Sequence, residues 1–382
     1  MKVLIISLAY LPFVGGAELA VKEITDRISD ISAKGGSASG WDFDLVTVNL
    51  SGREKEVEKI GNVKIHRIGQ GKLAKYSFPL AGFKKAAELH RQNKYDVIWA
   101  VMANQAGLAA LKFKKQFPEV KYLLTLQEGD SLKRIWSRTW FMRRAYKQIY
   151  RQADCIQSIS TFLADRAKKY GFEGKLEIVP NGVDLTNFAK EFDPNYLAGI
   201  RKELGILPED KVITTISRLV YKNGVDTLIK AIKNLPIKAL IIGSGRLEIK
   251  LKSLAQELGV RDRVLFLGYI GQKDLPKYLK ISDVFVRTSR SEGLGSAFLE
   301  AMAAGVPVIG TKVGGIPDFL KDQQTGLFCE RANPTDLAAK IKILLGDESL
   351  RQKLINNGRS LVLQNYDWQP IAGRMAKILQ EL

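Results

Sequence analysis

Glu292 and Glu300 stand eight positions apart in SRSEGLGSAFLEAMAAGVPVIGTKVGG (residues 289–315), on either side of a glycine loop. Two carboxylates at such a spacing can act as an acid and a base, or can hold two different parts of one ligand. Between them, Gly293 and Gly295 let the backbone approach a ligand closely or turn at positive φ, with Leu294 in the middle. Ser296 can cap the next helix while offering a hydroxyl. That helix, expected over 297–304, puts Glu300 about 6–12 Å from Glu292 at a rise of about 1.5 Å per residue. Its first amides point free N–H groups at whatever sits above the strand ends, which favours an anion such as a diphosphate.

Other groups of residues have the types and spacing for the same ligand. Arg218 and Lys222 in SRLVYKNG are two cations four apart after a strand. Gly243 and Gly245 in IIGSGRLE follow a strand and precede a helix. Without a third spaced glycine and a downstream acid they are no dinucleotide fingerprint, and they read either as a structural turn or as one wall of a nucleotide pocket. In the latter case Tyr269 and Ile270 of LGYI offer backbone and apolar contact to a base. Gly15, Gly16 and Glu18 open a helix after the first strand, where backbone amides can reach phosphates or hydroxyls. Gln127, Glu128 and Asp130 in LQEGD end another strand and are candidates to bind the second substrate, or to cap the adjoining segment.

The elements that must carry these residues alternate strand and helix. Short apolar runs, KVLIISL, DFDLVTV, VKIHRI, YDVIWAV, KYLLTL and CIQSIS, recur through the first half. VITTISRL, KALIIGS, RVLFLGY, VFVRTS and PVIGT do so in the second. With amphipathic helices between them, this is the βα pattern of α/β proteins with parallel sheets. A less regular stretch places a linker near 185–210, dividing a domain 1–188 from a domain 189–366.

The glutamate motif, with its small-residue helix and PVI strand, resembles the signature of the family 4 retaining glycosyltransferases (glycosyl transferases group 1). YLPFVGGAE at 10–18, SISTFLADRAKKYGF at 158–172, PNGVDLTNF at 180–188 and SRLVYKNGVDTLI at 217–229 resemble further segments of that family, as do IIGSGRLE, VLFLGYI and GGIPDFLKDQQTGLF. The matches keep order over some 330 of the 382 residues. The resemblance implies the GT-B fold, two Rossmann-like domains facing across a cleft, the first binding the acceptor and the second the donor. It implies that residues 367–382 form a helix crossing back onto the first domain. It further implies that Glu300 holds the ribose of a nucleotide sugar, Glu292 the sugar hydroxyls or a developing oxocarbenium charge, and Arg218 and Lys222 the diphosphate. The 293–296 loop then meets the phosphate or sugar. Charge on a departing nucleoside diphosphate needs fixed cations in a transferase without a metal, and no cofactor is expected. The family's histidine facing the reacting sugar is replaced here by Gln127, which can hydrogen-bond a sugar but cannot shuttle a proton.

Composition agrees. The chain has 382 residues, 46% of them hydrophobic, enough for two or three domains with full cores. Two cysteines and two histidines leave no disulfide framework and no expected zinc site. The N-terminal apolar run lacks the flanks of a secretory signal and reads as a strand, so the protein reads as cytoplasmic, or peripheral at the inner face of the membrane. The net charge is +19. Residues 72–151 carry 17 cations against five acids, a local +12. The segment from Ser131 to Arg151 has seven cations, no acids and five aromatics, Trp136, Trp140, Phe141, Tyr146 and Tyr150. It reads as an anionic-membrane surface for reaching a lipid-linked glycan acceptor, with a core helix bearing a basic face as the plain alternative. A nucleic-acid partner is not expected. The rival readings are a sugar-nucleotide epimerase of similar two-domain shape, a dinucleotide oxidoreductase and a basic nucleic-acid-binding protein.

Overall fold

The computed structural model describes residues 1–13, 15–34, 40–130 and 143–382. The chain forms two compact units, Met1–Gly182 with Trp368–Leu382, and Val183–Asp367.

The first unit is built on an eight-stranded sheet of β1 (Lys2–Ile6), β2 (Asp42–Val48), β3 (Val57–Ile60), β4 (Val63–Ile68), β5 (Val97–Val101), β6 (Lys121–Leu126), β7 (Cys155–Ser158) and β8 (Lys175–Ile178). Their order is β3-β4-β2-β1-β5-β6-β7-β8, and β3 pairs with β4 as the antiparallel edge of an otherwise parallel sheet. The inner strands are apolar runs because helices cover both faces. The chain winds outward from β1 and then returns to set β5 beside it, so the switch of direction falls between β1 and β5. The C-terminal helix Trp368–Gln380 seals one side. Its Trp368, Ile371, Ala372, Met375, Ile378 and Leu379 join Val3, Ile5, Ala20 and Ile24 in one core cluster. Each large side chain so buried contributes roughly 1.5–3 kcal/mol.

The second unit has six parallel strands, β9 (Lys211–Ile216), β10 (Ile237–Ile242), β11 (Val264–Gly268), β12 (Val284–Arg287), β13 (Val308–Thr311) and β14 (Leu327–Cys329). Their order is β11-β10-β9-β12-β13-β14, with the switch of direction between β9 and β12. In such sheets ligands bind beyond the carboxyl ends of the strands, at that switch.

The unit boundary falls at Gly182–Val183, earlier than the sequence reading put it. Val183 bridges to Asp367, and its N–H donates to the Tyr366 carbonyl at 2.7 Å. The helix Leu185–Phe188 therefore belongs to the second unit, where the Asn187 amide donates to the Gln272 carbonyl at 2.8 Å. The stretch read as linker is also ordered. Asp193 caps the helix Pro194–Glu203, which has proline in its first turn, and Ile200 packs with Ile206, Val212, Leu240 and Ile281.

Candidate active site

Four loops at the carboxyl ends of β9, β10, β12 and β13 are locked to one another by backbone contacts that only glycine permits. Gly224 ends the turn after β9 at φ 69°, and a Cβ there would lie 1.9 Å from the Thr288 carbonyl oxygen. Thr288 Oγ1 donates to the Gly224 carbonyl at 2.8 Å. Gly314, after β13, has φ 58° and would put a Cβ 1.8 Å from the carbonyl oxygen of Glu292. Gly243 and Gly245 press in the same way on the Ser217 and Leu219 carbonyls. Their close approach is structural, and it fixes the loop that carries Arg218.

Glu292 and Glu300 are both buried, at 8% and 7% exposure, so neither is a solvated surface acid. One arginine bears on both. Arg287, the last residue of β12, places Nη2 2.6 Å from Glu292 Oε2 and Nη1 3.4 Å from the Ile216 carbonyl at the end of β9. Ser289 Oγ donates to Glu292 Oε2 at 3.3 Å, and the Gly293 N–H donates to Oε1 at 3.2 Å. Glu300 accepts from the Gln272 side-chain amide at 3.1 Å. Burial pushes its carboxyl up to about 7, against the opposing influence of the Gln272 hydrogen bond and the Arg287 charge. The Arg287 guanidinium, absent from the sequence-level candidates, is thus the electrostatic link between the two acids. Its signal was an ionisable residue closing an otherwise apolar strand. Gln272 was missed because it reaches Glu300 from 28 residues away.

The raised Glu300 carboxyl has a consequence for stability. Its folded-state pKa, about 7, exceeds the ordinary 4.5. The stabilisation it gives as a neutral group is full below about pH 4.5 and is lost as pH rises through about 7. Glu300→Gln is expected to flatten this part of the stability curve by at most about 3 kcal/mol. Thermal melts of both proteins across that window check this, and parallel curves would show that Glu300 is already ionised.

The helix after the loop is Ser296–Ala303, and its N-cap is Gly295 at φ 99°, with no side-chain cap. Ser296 is therefore the first helical residue and not the cap, which leaves its hydroxyl free of that duty. Gly293, Leu294 and Gly295 are buried, and Ser296 is half-buried.

Arg218 is exposed and Lys222 half-buried in the loop after β9. The Asn223 amide donates to the Arg218 carbonyl at 2.6 Å. Lys222 sits in the short 3-10 turn Tyr221–Asn223. Arg290 clamps that turn. Its backbone N–H donates to the Lys222 carbonyl at 2.6 Å and its guanidinium to the Tyr221 carbonyl at 2.7 Å. A bidentate pair with Asp226, at 2.9 and 2.7 Å, anchors the clamp and holds the Asp226 carboxyl below its ordinary value. Ile270 is half-buried and Tyr269 exposed beyond β11, whose last residue, Gly268, accepts from the Gly243 N–H at 2.6 Å. Among the described residues no group of three His, Cys, Asp or Glu side chains could hold a metal ion.

In the first unit, Gly16, Gln127 and Asn181 converge. Asn181 Nδ2 donates to Gln127 Oε1 at 3.1 Å and lies 3.8 Å from where a Gly16 Cβ would be. Asn181, 5% exposed, is a further residue the sequence reading passed over. Gly15 is covered by the Glu18 carboxylate, which would meet a Cβ there at 2.5 Å. Glu128, the neighbouring acceptor-side candidate, points into the first unit. Although the residue is half-exposed, its carboxylate turns inward. Oε1 accepts from the Ala103 N–H, Oε2 is buried without a hydrogen-bond partner, and burial raises its pKa against the lowering influence of Arg166. The buried Arg166 donates to the Asp130 carbonyl at 2.9 Å, which fixes the QEGD loop from below. Glu128 is scaffold.

The basic segment divides. Residues 131–142, with Trp136, Trp140 and Phe141, lie outside the described residues. Arg143–Arg151 is a helix whose Tyr146 and Tyr150 are buried, Tyr150 stacking on Tyr170 at 4.7 Å. Those two aromatics are core, and Arg143, Arg144 and Arg151 face outward.

Comparison with known proteins gives the same picture over the whole chain. Residues 198–361 match the glycosyl transferases group 1 family, and residues 31–187 match glycosyltransferase family 4. The GDP-mannose-dependent alpha-(1-6)-phosphatidylinositol monomannoside mannosyltransferase of Mycobacterium tuberculosis is 32% identical over 76% of this chain and 77% of its own. Among solved structures, sucrose-phosphate synthase of Thermosynechococcus elongatus superposes with a TM-score of 0.86 at 22% identity, covering 100% of this chain and 98% of its own. HepE of Anabaena, crystallised with UDP and glucose, does so at 0.81 and 20% over the full length of both. Two doubly wound parallel sheets of GT-B type, a strand-end site carrying the paired glutamates, and a relative 32% identical over three quarters of the chain lead to one assignment: the chain belongs to the family 4, group 1 glycosyltransferases and is an enzyme of glycosyl transfer from a nucleotide sugar.

Proposed function

We propose that the chain transfers a sugar, with retention of configuration, from a nucleoside diphosphate sugar to a hydroxyl of a lipid-linked or cell-envelope glycan acceptor at the cytoplasmic face of the membrane. The observation that carries the donor half is the Glu292–Arg287–Glu300 arrangement at the β9/β12 switch, braced against the loop that holds Arg218 and Lys222. Glu300 takes the ribose hydroxyls, Glu292 the sugar, and Arg218 and Lys222 the diphosphate. The glycosidic C1–O bond breaks with its electron pair leaving on the phosphate oxygen. The acceptor oxygen bonds to C1 from the same face, and its proton passes to that phosphate oxygen. Gln127, tied to Asn181, orients a hydroxyl and moves no proton. Fixed cations stabilise the developing phosphate charge, the role a metal ion would otherwise serve.

Two observations support the acceptor half. The mycobacterial relative is named for a phosphatidylinositol monomannoside, and the first unit carries most of the chain's basic excess. Among the described residues no helix is long and apolar enough to cross a membrane.

A thermal-shift screen with UDP, GDP and ADP, followed by hydrolysis of the matching nucleotide sugars in chelator, tests the donor assignment. One nucleotide is expected to raise the melting temperature by several degrees and its sugar to be turned over without added metal. No response to any nucleoside diphosphate would overturn the reading.

A further inference from the structure

The helix Ala74–Asn93 buries Phe78, Gly82, Ala86, Ala87, Leu89 and His90 against the first sheet. Its outer face is not polar at the start. Leu73, Tyr76 and Leu80 are 79%, 66% and 51% exposed. Spacings of three and four set them on one side of the helix. Cations flank them. Lys72 and Lys84 are exposed, and Lys75 Nζ lies 4.9 Å over the Tyr76 ring. No acidic residue occurs between Glu58 and Glu88.

We infer that this face docks on an anionic lipid surface. Apolar side chains lying in an interface, with lysines level with the headgroups, are what such a surface binds. The uninterrupted positive charge selects anionic lipid over a neutral apolar partner. The location fits the proposed acceptor, on which this inference rests. The helix follows β4 through the loop 69–73, at the same carboxyl edge of the sheet where Gly16 and Gln127 stand. A lipid-anchored acceptor would be held beside that edge, within the first unit.

The test is co-sedimentation of the full chain with vesicles of phosphatidylcholine alone or with added phosphatidylglycerol. The wild type is expected to bind only the anionic vesicles. The variant L73S/Y76S/L80S should bind them about tenfold more weakly. K72Q/K75Q/K84Q should weaken binding and reduce its salt dependence. Hydrolysis of the soluble nucleotide sugar should stay unchanged in both, which separates a failure of docking from a failure of the donor assignment. Five of the six positions are exposed and Lys75 is half-buried, and a melting curve confirms that each variant is folded. Equal binding by wild type and L73S/Y76S/L80S, or no preference of the wild type for anionic vesicles, would overturn the inference. So would a solution dimer that only L73S/Y76S/L80S dissociates, because the face would then belong to a second copy of the chain.

Discussion

Glu292→Gln is expected to lower sugar transfer by about two orders of magnitude, the scale of one lost electrostatic contact to a transition state. The substitution keeps the size of the side chain and its contact with the Gly293 N–H, 3.2 Å away. What it removes is the charge that Arg287 meets at 2.6 Å. Arg287 is then left beside Glu300 alone, so the field at the sugar turns more positive where positive charge must develop. The loss should appear in kcat rather than in affinity for the nucleoside diphosphate, because Glu292 is assigned to the sugar. A kinetic comparison at saturating donor, with a melting curve as a control for folding, checks it. Turnover within a few-fold of wild type would remove Glu292 from the chemistry.

Lys222→Ala should cost a similar factor, through the leaving group. The backbone of Lys222 is held on both sides, by the Gly224 turn and by the Arg290–Asp226 clamp, so the side chain can be removed without releasing the loop. A preorganised cation is worth most when nothing has to reorganise as charge develops. Lys222→Arg should recover part of the rate, since the charge returns with a different geometry. The measurement is kcat/KM with a natural leaving group and with a donor whose leaving group is better. The variant should lose less with the better one. An equal loss with both would place Lys222 in binding and not in departure.

The parts of this molecule that were legible in sequence are those set by local pattern. The eleven apolar runs all became strands, because buried parallel strands need continuous apolar sequence. Three strands were not foreseen. β3 (VEKI) and β8 (KLEI) lie at the sheet edges, half exposed, with charged residues where a pattern would show, and β14 has only three residues. The glutamate pair could be found because loop and helix are contiguous. Its inward pairing could not, since Arg287 meets Glu292 only after β12 has been placed against β9. The inward turn of Glu128 was hidden for the same reason. Its burial depends on Ala103 and Arg166, 25 and 38 residues away. Tyr146 and Tyr150 looked like membrane aromatics until Tyr170 closed over them.

The two glutamates divide the donor between them, and calorimetric titration of wild type, Glu292→Gln and Glu300→Gln with the nucleoside diphosphate alone tests that division most directly. Glu292→Gln is predicted to bind the diphosphate within about twofold of wild type, while Glu300→Gln, having lost its ribose contact, should bind it about tenfold or more weakly. Weakened binding by Glu292→Gln with Glu300→Gln unchanged would contradict the assignment of the two roles.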